Sequence, residues 1–316
     1  MRLFTNAHIF TTQNIAMKKK QAAEAEALYL NPMTDFGFKK IFGQEDIMRA
    51  FLTDLLEPES PITTITFLDK EPQPQNKLER GVIYDLRCMT EDGGEFIVEM
   101  QNSPQEYFAD RILYYLSRSI APQGDKGKKR GSRGKINVDW DFNLKPVYGI
   151  FFLNFRMAGL KTRTYRTIHM TVDETRETFC DKVRVYTIEL PGFKNKKESD
   201  CKTKLDKWTY NLLNMKKMTT PMPFQAEMPV FTKVASVAEI AKMTSDERRK
   251  YQDTIDMHRT NVAVLNYQYN EGVRNGEKKG EKKATLKNAK ALKKNGVAPE
   301  IIAASLGLAI EVINKL

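Results

Sequence analysis

The chain has 316 residues, 41% apolar and 10% aromatic, which is enough for a sizeable core and too many for a disordered protein. Its net charge of +11 and pI near 9.3 suit a polyanionic partner without implying any sequence preference. Three cysteines without CxxC spacing and three scattered histidines argue against a zinc site, a disulfide framework or paired-histidine chemistry, and they fit a reducing cytoplasm. The longest apolar run, VYGIFFLNF at 147–155, is far short of a bilayer span, so no membrane partner is expected.

Residues 1–28 lack an apolar period and end in the Lys- and Ala/Glu-rich MKKKQAAEAEAL. They read as a flexible N-terminal extension, with Met17 as an alternative start. From Thr34 the pattern turns helical: Thr34 or Asp35 can cap, Phe38, Ile41 and Phe42 recur at helical spacing, and Gly43 stops the run. A second helix from about Glu45 places Ile47, Phe51, Leu52, Leu55 and Leu56 on one face and ends at Pro58. ITTITFLDKE, 62–71, reads as the first strand, followed by a proline-broken loop.

Val82 to Gln101, VIYDLRCMTEDGGEFIVEMQ, reads as a hairpin of two apolar strands about the turn Glu91-Asp92-Gly93-Gly94. Alternation puts Ile83, Asp85 and Arg87 on one side of the first strand, and Ile97, Glu99 and Gln101 on one side of the second. With the turn centred near Asp92, Asp85 and Glu99 are equidistant from it and fall opposite each other, about 5 Å apart at Cβ. Two readings are open. Either both acids lie on the solvated face of an edge hairpin, or they share a divalent cation, and then hard oxygen ligands favour Mg²⁺ or Mn²⁺. The apolar run FIVEM around Glu99 fits a strand covered on both faces, where an unpaired carboxylate is costly.

A helix from about Pro104 to Ile120 turns Tyr107, Phe108, Ile112, Tyr115 and Leu116 inward and leaves Gln105, Asp110, Arg111 and Arg118 polar. After it comes the basic loop GDKGKKRGSRGK. Its Lys126, Lys128, Lys129, Arg130, Arg133 and Lys135 either contact DNA phosphates or belong to a solvated insertion. PVYGIFFLNF and KVRVYTIEL read as two more buried strands, bringing a mixed sheet to about five. Residues 200–260 read as two helices, one with a Trp208, Leu212, Met215 face and one from Ser236 to Asp256. After Glu271 a repeated Gly-Glu-Lys-Lys unit with few apolar residues marks a boundary. The end of the chain reads as two short apolar helices around Gly307.

These residues resemble a known family. Asp85, then Glu99-Met100-Gln101 after a glycine turn, is similar to the D…(E)xK core of the PD-(D/E)XK nuclease superfamily, with Gln for the usual Lys. NPMTDFGFKKIFG (31–43), FADRILYYLSR (108–118), KPVYGIFFLNF (145–155) and IELPGF (188–193) occur in the order of its Rpn-type branch, the recombination-promoting nucleases also described as transposases. The resemblance covers roughly 29–316. It implies an α/β, PD-(D/E)XK-like mixed central sheet flanked by helices with a small helical C-terminal tail. Residues 29–270 are then the nuclease domain and 271–316 a Lys-rich linker and helical hairpin, which resembles the family's helix-turn-helix tail and serves either as a DNA reader or as a docking or dimerising hairpin.

The resemblance further implies a Mg²⁺-dependent endodeoxyribonuclease, with Mn²⁺ as the alternative ion. Asp85 and Glu99 are then ligands together with the Met100 carbonyl, and Gln101 stands in the third motif position. Lys39, beside Asp35 in the first helix, reads either as a residue approaching the site and DNA or as a solvated lysine. Arg111 reads as support for a phosphate or for the acid pair, against an ordinary surface arginine. The competing reading is a nuclease-fold DNA-binding or assembly protein that no longer cuts. Strand transfer is not separable from hydrolysis by sequence, and a homo-oligomer is compatible with either.

Overall fold

Thr34 starts the first helix as expected, because its hydroxyl oxygen accepts a hydrogen bond from the Gly37 N–H at 3.1 Å while the hydroxyl donates to the Asn31 carbonyl at 2.8 Å. That helix, α1, spans Asp35–Phe42, and α2 spans Glu45–Leu56. The computed structural model describes residues 27–59, 61–70, 83–126, 129–130, 136–137 and 143–316, of which 125, 126, 129, 130, 136 and 137 are described as backbone alone. The N-terminal extension, save its last two residues, lies outside them. The chain divides into two compact units, Met1–Thr254 and Ile255–Leu316.

The first unit is built on a mixed sheet of six strands: β1 Ile65–Phe67, β2 Leu86–Thr90, β3 Glu95–Gln101, β6 Val147–Leu153, β7 Tyr165–Thr171 and β8 Thr178–Glu189. Strands β4, Lys129–Arg130, and β5, Ile136–Asn137, form a separate antiparallel ribbon in the basic insertion. The sheet order is β1-β2-β3-β6-β8-β7. Strands β3, β6 and β8 run parallel in the middle, and the antiparallel β2 and β7 flank them.

Helix α3, Phe108–Lys126, covers one face, where Phe108, Ile112 and Leu116 pack with Tyr84, Ile97, Phe151 and Val185. The other face carries α1 and α2 together with α4, Lys204–Asn214, and α5, Val230–Ala238. Its core joins Phe38, Phe42, Phe51, Trp208 and Phe231 to Phe96, Val98, Met100 and Phe152. Covered on both sides, β3 is buried at all seven positions. The expectation drawn from FIVEM therefore holds, and the solvated edge hairpin is excluded.

Several expectations need correction. The sheet has six strands where about five were expected. The addition is β7, whose outward residues Ile168, His169 and Met170 give it no apolar run to read. Strand β2 begins at Leu86, and Ile83 is exposed. Tyr107, expected inward, is exposed and takes φ 57° just before α3. The expected helix from Ser236 to Asp256 is instead α5 and α6, Ser245–Lys294. Thr244 separates them: its hydroxyl accepts from the Glu247 N–H at 3.2 Å, and the Glu247 carboxylate accepts from the Thr244 N–H at 3.0 Å, a reciprocal cap that fixes the start of α6.

Helix α6 continues unbroken through Glu271 and the Lys-rich repeat. In the second unit Ala289 of α6 packs with Ile302 of α7, Pro299–Leu306, and Ile313 of α8, Ile310–Asn314. Among the described residues no helix is long and apolar enough to cross a membrane.

Candidate active site

The turn sets the register of the acids. Asp92 Oδ1 accepts from the Gly94 N–H at 3.0 Å and from the Thr90 hydroxyl at 2.6 Å, and Gly93 takes φ 85°, which an L side chain resists. The ladder that follows pairs Arg87 with Ile97 and Leu86 with Val98, so the next facing pair is Asp85 and Glu99.

Each acid is held by the other's strand. The Asp85 N–H donates to Glu99 Oε1 at 3.0 Å, and the Met100 N–H donates to Asp85 Oδ2 at 2.9 Å. Gln101, two residues along the same face, donates its side-chain amide to Glu99 Oε2 at 2.9 Å. Glu99 is 2% exposed and Gln101 8%. Burial, then the neighbouring Asp85 charge, pushes the Glu99 carboxyl up to about 8. Burial also raises Asp85, against the lowering pull of the Met100 N–H and the Lys39 charge. At neutral pH the pair therefore retains a proton, as two close carboxylates do without a cation between them.

Two cations border the pair. Lys39, from α1, lies 3.9 Å from Asp85 Oδ1 and forms an ion pair with Asp35 one helical turn back. Arg111, from α3, lowers Glu99 by its charge. Its guanidinium lies over the Tyr115 ring, 4.9 Å from the centroid, and donates to the Tyr115 hydroxyl at 2.6 Å and to the Gln105 amide oxygen.

The donor set is oxygen throughout, as Mg²⁺ or Mn²⁺ requires, and two facing carboxylates fit such an ion. Among the described residues no group of three or more His, Cys, Asp or Glu side chains could hold a metal, so the remaining ligands would be main-chain oxygen, water or substrate.

Over residues 32–268 the chain matches the family described as PD-(D/E)XK nuclease family transposase. The chain belongs to that family. No curated protein and no solved structure matches it. PD-(D/E)XK nucleases in general use divalent metal ions and act on DNA.

The structure thus brings together Asp85, Glu99, Met100, Gln101 and Lys39, with Arg111 close enough to be felt. Of the basic insertion, Lys126 ends α3, and Lys129 and Arg130 form β4, as backbone positions only. Lys128, Arg133 and Lys135 lie outside the described residues. Sequence reasoning missed Lys70, which follows β1 and whose charge lowers Asp85. Its only available signal was its place just past a strand that pairs with β2.

Proposed function

We propose that this PD-(D/E)XK family member is a metal-dependent DNA endonuclease that hydrolyses phosphodiester bonds in the service of DNA recombination or of a mobile element. The observation that carries the reading is the facing Asp85–Glu99 pair at a central strand, Glu99 buried and Asp85 partly so, with the Asp85 N–H donating to Glu99 and the Met100 N–H donating to Asp85. A pure DNA binder gains nothing from two acids facing a phosphate backbone.

Asp85, Glu99 and the Met100 main-chain carbonyl would hold Mg²⁺, with Mn²⁺ as the alternative. Such an ion neutralises charge on the scissile phosphate and makes water more acidic. The protein's own groups do the rest. Lys39 and Arg111 supply positive charge on either side of the pair, where a phosphate would otherwise be repelled. Gln101 fixes the Glu99 carboxylate and, as a neutral amide, neither carries charge nor takes up a proton. Lys126, Lys128, Lys129, Arg130, Arg133 and Lys135 contact the DNA backbone without reading sequence. The three free cysteines, Cys88, Cys180 and Cys201, suit a reducing cytoplasm.

One feature favours a second reading, a nuclease fold that binds DNA without cutting. Gln101 replaces the motif's lysine, and its amide is engaged with Glu99. Nicking of supercoiled plasmid by the purified protein decides between them. Cutting with Mg²⁺ or Mn²⁺ that stops in EDTA supports the nuclease. Plasmid that is bound and never cut supports the binder.

A further inference from the structure

Residues 260–270 of α6, TNVAVLNYQYN, are eleven consecutive helical residues without a charge, in a protein whose composition is 29% charged. All of them are exposed. Asn, Thr, Val and Tyr are mediocre helix formers, and a helix of such residues normally depends on packing an apolar face.

The apolar residues here follow a seam. Ile255, Val262 and Tyr269 are seven apart, and Leu265 and Gly272 continue a second sevenfold row that begins at His258. The rows alternate at three and four residues, the spacing at which two helices supercoil and interlock. Val262 is 42% exposed, Leu265 46% and Tyr269 72%, apolar side chains left largely open to water. On the opposite side Met257, Val264 and Tyr267 form a shorter stripe bounded by Thr260 and Glu271.

We propose that residues 255–273 of α6 are a self-association seam whose partner is the same seam in a second copy of this chain. Charge identifies the occupant. Two copies that each carry +11 repel each other over most of their surface. The flanks of this seam are the uncharged Thr254, Asn261, Asn266 and Gln268 together with Arg259, whose charge is offset by Asp256 at 3.3 Å, so two copies can meet here without a row of opposing like charges. Beyond Val273 the cations resume with Arg274, Lys278 and Lys279, and the seam ends. DNA is not the occupant, because phosphate contact needs cations, and residues 260–273 carry none while Arg259 is paired with Asp256. The seam spans under three heptads, so the dimer is expected to form with concentration rather than to be permanent. The proposal is independent of whether the protein cuts DNA.

Sedimentation equilibrium of the full-length protein over a concentration series tests it. A reversible monomer–dimer equilibrium is expected. Leu265→Asp should weaken it by about tenfold or more, the loss of an interface anchor. The paired changes Val264→Ser and Tyr267→Ser on the opposite face should leave it unchanged. An added Cβ at Gly272 meets nothing within 4 Å, so Gly272→Leu lengthens the seam and should tighten the dimer. Circular dichroism of each variant confirms that the helix is retained. A monomer at every concentration overturns the proposal, and so does a dimer that the opposite-face variant dissolves while Leu265→Asp does not.

Discussion

Glu99→Gln is the perturbation that isolates the electrostatics of the acid pair. In the metal-free protein Glu99 holds its proton up to about pH 8, against an ordinary 4.5 in the unfolded chain. Between those values the folded state carries one proton more than the unfolded state. Stability therefore falls as pH rises through that window and levels off above about 8. At about 1.4 kcal/mol per pH unit the full gap corresponds to about 5 kcal/mol, an upper bound because Asp85 and Glu99 titrate together.

A glutamine at 99 removes the titration and keeps the contacts. Its carbonyl accepts from the Asp85 N–H, and its amide donates to Gln101, whose own amide rotates to accept. Urea unfolding in EDTA at pH 6, 7, 8 and 9 is the assay. Wild-type stability should fall across this range relative to Glu99→Gln, by about 1–3 kcal/mol once the coupling to Asp85 is allowed for. Mg²⁺ should recover that loss in wild type and not in the variant. Parallel curves for the two proteins, or a wild type that gains stability over the variant as pH rises, would refute the reasoning.

Lys39→Ala removes the cation 3.9 Å from Asp85 and should slow plasmid cleavage by a factor on the order of 10², read as kcat/KM, while DNA binding changes little. Gln101→Ala should slow cleavage less than loss of either acid, since Glu99 keeps its hydrogen bond from Asp85; an unchanged rate would make Gln101 purely structural. Glu95→Ala strips the bidentate partner from Arg87, whose nitrogens reach the Glu95 carboxylate at 2.6 and 3.1 Å in a nearly buried pair. It should cost about 3 kcal/mol by chemical denaturation, and a loss below about 1 would mean that the guanidinium finds water.

The central hairpin was the most legible part of the molecule, because a strand buried on both faces leaves two marks at once. FIVEM is apolar at every position but one, and a glycine turn bounded by Asp92 sets the register, so Asp85 and Glu99 could be paired by counting from the turn. The helices α1 and α2 were legible through Phe38, Phe42 and Phe51, whose spacing follows one helix face.

Strand β7 was not legible. An edge strand exposed along its outer residues carries a mixed sequence, here YRTIHMT, and owes its place to the ladder it forms with β8. The start of α6 lay in a cap between two polar residues, a signal that the apolar period of 236–256 masked. Its continuation past Glu271 is invisible to apolar periodicity, since the Lys-rich turns face water. Within the site, Lys39 was legible only through the family phrase, and the distance that gives it meaning is tertiary.

The nuclease reading stands or falls on the Asp85–Glu99 pair. Its most direct test sets wild type, Asp85→Ala and Glu99→Ala side by side on supercoiled plasmid in Mg²⁺, with DNA binding followed in the same samples. Cleavage by wild type alone and salt-sensitive binding by all three are expected. Cleavage that persists in both variants would contradict that reading.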